Sequence, residues 1–186
     1  MSDPTSEFRP NDPLLLAGKV ITILMQAVMA IAAAALAIAL PVLLFMQDKI
    51  DLEIAKEHGS ATEPLPMLAI AAVIALAMVA VALLFFFFGK LRRIIATVGE
   101  GDPFVPDNAD RLGAMAWIML GVYLLGIAIS VVGATVAGWA SQFEEVHLTA
   151  GISFDASSIL LVIILFILAR VFRHGAAMRE DLEGTV

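Results

Sequence analysis

The sequence predicts an all-α integral membrane protein. The expected architecture is a four-transmembrane-helix bundle, N-in and C-in, with a small antiparallel β-sheet formed by the outer loops at about 49–55, 145–149 and 151–155. Three observations lead there. The 186 residues are 61% hydrophobic and only 16% charged, whereas soluble domains carry about a quarter charged residues and nearer half apolar ones. Mean hydropathy is +0.95. Four segments reach the roughly 20 apolar residues that a spanning helix needs, and the basic residues gather on one side of them. Residues 1–186 read as a single membrane domain.

The first span covers about 14–46 and is interrupted only by Lys19, Thr22 and Gln26. It exceeds what the membrane requires, so it is expected to tilt, protrude or bend at Pro41. An Ala-Leu-Ala-Ile-Ala run at 35–39 resembles a signal-peptide cleavage site. The acidic segment before it (Asp3, Glu7, Asp12) and the apolar run after it argue for a retained span. The second span, about 66–89, is uncharged and continues as helix to 98. The third covers about 109–141 and is uncharged from 112 to 140. The fourth, 156–173, holds Arg170 near its end and continues to 182. In lipid every backbone N–H and C=O must pair internally, so helix is expected even through the β-branched Val162-Ile163-Ile164.

Orientation follows from Lys and Arg. Arg9, Lys19, Lys90, Arg92, Arg93, Arg111, Arg170, Arg173 and Arg179 fall on one side, and Lys49 and Lys56 on the other. The 11 basic residues thus divide nine to two, placing both termini and the loop between the second and third spans in the cytoplasm. Lys19 and Arg170, near the inner ends of their spans, read as interfacial anchors whose stems snorkel to the headgroups.

The outer loops carry a second period. Ile50, Leu52 and Ile54 alternate with charged residues. Val146 and Leu148, then Ile152 and Phe154, flank Ala150-Gly151. Period two with β-branched residues argues for strands, and the Gly-containing gap for a hairpin. For 49–57 a helical continuation is the alternative, because Ile50 and Ile54 are also four apart.

Small residues let membrane helices approach closely. In the third span Gly126, Ser130, Ala134 and Gly138 recur every fourth position and share one face. This stripe is expected to face another helix of the bundle, with a homodimer seam as the alternative.

Catalytic, cofactor-binding and metal sites are not expected. There is no cysteine, which removes disulfides and thiolate chemistry. No phosphate-binding glycine loop and no nucleophile–base spacing occurs, and the apolar runs of the spans (the third counted from 112) hold no Asp, Glu or His. The net charge of −7 argues against direct nucleic-acid binding. His58 and His147 lie near outer carboxylates without tight ligand spacing, and His174 lies among cytoplasmic arginines. Phe85–Phe88 before Lys90 suit the lipid interface.

The inner loop reads as a helix stop, an aromatic plug and a helix start. Leu91, Ile94, Ile95 and Val98 share a face. Gly99 and Gly101 can end the helix, Pro103 and Pro106 prevent continuation, and Asp107 or Asn108 can cap the next helix. Phe104, the one large apolar group in this turn, is expected to dock between helix ends. Arg111 is the residue this architecture explains least.

The inner loop "LRRIIATVGEGDPFVPDNADRL" and the tail "ILARVFRHGAAMREDLEGTV" together resemble the bacterial membrane-protein family catalogued as domain of unknown function 2975. The matching positions are Gly101, Pro103, Phe104, Asn108, Arg111, Leu112, Phe172, Arg173, Gly175, Glu183 and Thr185. Gly113 departs from the basic residue that often follows the Arg-Leu pair. The resemblance implies a multi-pass protein of a bacterial inner membrane, a family without a settled activity, and a small cytoplasmic helix-turn-helix regulator as partner. The resulting expectation is a non-enzymatic protein that senses or transmits across the membrane, its motif residues forming the partner surface. The alternatives are a small transporter or pore using the bundle interior, and a structural or immunity-type membrane protein.

Overall fold

The computed structural model describes residues 13–58, 64–142 and 156–183. They form four α-helices: α1 Pro13–His58, α2 Met67–Gly99, α3 Pro106–Ala140 and α4 Ala156–Glu183. Each contains a stretch long and apolar enough to cross a membrane. The chain is a multi-pass membrane protein of four apolar helices, the make-up of a helical bundle.

The expected β-sheet is corrected. Among the described residues there is no strand, and 49–55 belongs to α1, which runs on to His58. Burial there follows the helical period. Ile50 and Ile54 are half-buried, while Leu52, which a strand would place on their face, is 57% exposed. Helical spacing also brings Lys56 to 3.4 Å from Glu53. The Asp51 carboxylate accepts the backbone N–H of Leu65 at 3.1 Å. The other two proposed strands, 145–149 and 151–155, lie outside the described residues. Alternation over so short a segment fits either period, and an apolar helix already under way adds one hydrogen bond per residue without a new nucleus.

The chain divides into two compact units. One gathers the described residues of 1–29, 83–120 and 155–186, and the other those of 30–82 and 121–154. The first has a defined core of Ile94, Leu112, Met115, Ala116, Leu165 and Ala169, packed round by Phe87, Leu91, Val98, Met119 and Phe172. On α4 the buried positions Val162, Leu165, Ala169 and Ala176 keep to intervals of three, four and seven, which is one helix face. Trp117 meets Phe166 edge-on, ring centroids 5.4 Å apart. On α1, Gly18 leaves room for Ile95: a Cβ there would stand 3.3 Å from its Cδ1. Thr22 is buried and donates its hydroxyl to the Lys19 carbonyl at 2.9 Å.

The second unit is more open. Among its described residues only Met67 and Ala140 are buried. Gly126, Ala134 and Gly138 are exposed, and Ser130 turns its hydroxyl back to the Gly126 carbonyl at 3.0 Å. A Cβ added at Gly126 or Gly138 would meet no described atom within 4 Å.

Candidate functional site: the α2–α3 turn and the α4 tail

The end of α2 is set by a Schellman motif. Gly101 takes φ +82°, a conformation glycine adopts without a Cβ penalty. Its N–H donates to the Val98 carbonyl at 3.1 Å, and the Asp102 N–H donates to the Thr97 carbonyl at 3.0 Å. These two bonds satisfy carbonyls that a helix end leaves without partners. Of the two glycines able to end the helix, Gly101 carries the left-handed geometry. α3 then opens at Pro106, where a missing N–H costs nothing and φ is already helical. Asp107 lies in this first turn, near the positive end of the helix dipole.

Asn108 stands inside the helix rather than capping it. It is fully buried. Its Nδ2 donates to Thr97 Oγ1 at 2.7 Å and to the Pro103 carbonyl at 3.0 Å. Its Oδ1 accepts Arg111 Nη1 at 2.7 Å. Thr97 Oγ1 in turn donates to the Ile94 carbonyl at 2.8 Å. The amide thus joins the end of α2, the turn and the start of α3. Among the described residues no buried side-chain polar atom lacks a partner, the condition under which a buried polar network rigidifies rather than destabilises. Arg111 completes it: its Nη2 lies 2.8 Å from Asp107 Oδ2, and its side chain is only 19% exposed. Architecture therefore accounts for the residue it seemed least to explain.

The tail of α4 is held against this turn. Phe104 meets Phe172 with centroids 5.2 Å apart and planes tilted 42°. It also lies over Gly175, where an added Cβ would come 2.7 Å from Phe104 Cδ1. Only glycine admits the ring in this position. Phe104 still leaves 42% of its surface exposed, so the plug packs on one side only. Arg173 reaches Asp110 at 3.3 Å, and Arg179 pairs with Asp102. Phe172, Gly175 and Arg179 follow at intervals of three and four, one face of α4 turned to the turn.

The structure thus brings together Gly101, Pro103, Phe104, Asn108, Arg111, Phe172, Arg173 and Gly175. Glu183 is the last residue of α4. Gly126, Ser130, Ala134 and Gly138 belong to the second unit, His58 ends α1, and His147 lies outside the described residues. Sequence reasoning missed Thr97, Asp102, Asp110 and Arg179. Asp102 and Arg179 offered a signal, being opposite charges in the two motif segments. The Thr97–Asn108 bond did not, because its separation of 11 residues depends on the turn geometry.

The family described as "Protein of unknown function (DUF2975)" matches residues 40–186. The chain belongs to that family, which encloses the α2–α3 turn and the α4 tail. Neither a curated protein nor a solved structure matches the chain.

Proposed function

We propose that this is a non-enzymatic bacterial inner-membrane protein, with both termini in the cytoplasm, that holds a small helix-turn-helix regulator on the surface made by the α2–α3 turn and the α4 tail. One observation carries the reading. Segments 63 to 77 residues apart are cross-linked by side-chain ion pairs and an aromatic contact, which fixes the shape of a polar surface well beyond what spanning a bilayer requires. Asp107, Asp110 and Arg173 present 75%, 78% and 69% exposed side chains there, so charge is available in fixed positions. A preformed surface of this kind loses little entropy on binding. The nine-to-two division of basic residues supports its cytoplasmic orientation. Signal transmission then consists of a change in the α4 tail that loosens or exposes this surface.

The test uses a photo-crosslinking residue at Asp110 in native membranes. Capture of a small soluble helix-turn-helix protein there, and not from a probe at Leu52, is the expected result. Absence of any soluble protein at Asp110, or equal capture at Leu52, contradicts the proposal.

A further inference from the structure

A groove of about 800 Å³ runs along the outward face of α4 beside Phe104. Phe104, Ile167, Val171 and Met178 supply its apolar walls, and Arg170 and His174 its polar flank, the guanidinium carrying the positive charge. Arg179, at the far end, is engaged with Asp102. Arg170 makes no ion pair among the described residues. Its place along the helix matters. The uncharged run of α4 from 156 to 169 is bounded by Asp155 and Arg170. These 14 residues extend about 21 Å at 1.5 Å each, short of the roughly 30 Å hydrocarbon layer. Arg170 therefore lies at the hydrocarbon edge, where a cation needs an anionic partner or a path to the headgroups. From Ile167 to Met178 the groove covers about 16 Å, running from acyl-chain depth through the headgroup layer.

We infer that this groove binds an anionic phospholipid, its acyl chain against Ile167, Val171 and Phe104 and its phosphate on Arg170 and His174. Three features favour a lipid occupant. One end of the groove is at bilayer depth, its walls are apolar, and its one unpaired strong cation among the described residues stands where a phosphate sits. Basic pockets at the membrane boundary select anionic headgroups in this way. Gly175 shapes the groove, because it seats Phe104 on α4 and turns that ring into a wall. The inference depends on α4 spanning the bilayer. It does not depend on which side the termini occupy or on any regulator.

Native mass spectrometry of the full chain in nonionic detergent tests it, with phosphatidylglycerol and phosphatidylcholine of matched chains supplied in equal amounts. The wild type should retain phosphatidylglycerol about fivefold over phosphatidylcholine, the selectivity that one interfacial Arg supplies. R170Q/H174Q should bring the ratio near one, and Arg170→Lys should keep most of it. R92Q/R93Q, which removes two exposed arginines of α2 outside the groove, should leave it unchanged. Equal retention by the wild type overturns the inference, as does a preference that survives R170Q/H174Q or one lost equally in R92Q/R93Q. A dimeric species abolished by Met178→Glu would assign the groove to a second copy and overturn it too.

Discussion

The two units are built from similar apolar helices, yet they solve different problems. The first closes a core around Met115 and Ala116 and adds a fully buried asparagine with every partner in place. The second carries a regular stripe of small residues and packs almost nothing against it among the described residues. Apolar composition alone therefore does not locate the closest packing among the described residues. Close packing here accompanies the polar contacts at one turn, where directional hydrogen bonds join the helix ends.

The sharpest break of that contrast is Asn108→Leu. It strands the Pro103 carbonyl and Arg111, and should lower unfolding free energy by about 2–3 kcal/mol in a detergent unfolding titration. Its counterpart in the second unit, Ser130→Ala, removes a hydroxyl bonded only within its own turn and should change stability by less than about 0.5 kcal/mol. Gly126→Leu carries the contrast further. With open space around Gly126 and leucine the better helix former, the monomer should be unchanged or slightly stabilised. A loss as large as that for Asn108→Leu would mean the stripe is a packed interface. Back in the first unit, Arg173→Ala breaks an exposed pair and should cost at most about 1 kcal/mol, shrinking in high salt.

Much of the fold was legible in the sequence because lipid leaves the backbone few choices. The second span with its continuation, expected over 66–98, is Met67–Gly99, and the fourth, expected to reach 182, is Ala156–Glu183. Two readings failed where a residue pattern serves two geometries. Ile50 and Ile54 fit a strand and a helix equally, and the structure separates them by the exposure of Leu52 and the i,i+3 contact of Glu53 with Lys56. Asp107 and Asn108 both suit a helix cap, but Pro106 had already opened α3, which left Asn108 free to turn inward. The motif residues of the candidate site were recognisable as a set. Their couplings were not, since Phe104 on Gly175 and Asn108 on Thr97 are facts of tertiary placement.

The central claim is that the α2–α3 turn and the α4 tail form one interlocked structure, with Phe104 seated on Gly175. Melting temperature of Gly175→Ala, measured in detergent in the wild-type and Phe104→Ala backgrounds, tests it most directly. With the ring present, the added methyl collides and stability should fall. With the ring gone, alanine's helix propensity, about 1 kcal/mol better than glycine's, should make the same substitution stabilising. A change of sign between the two backgrounds is the predicted result. The same shift in both, whether up or down, would mean the two residues do not touch and would contradict the account.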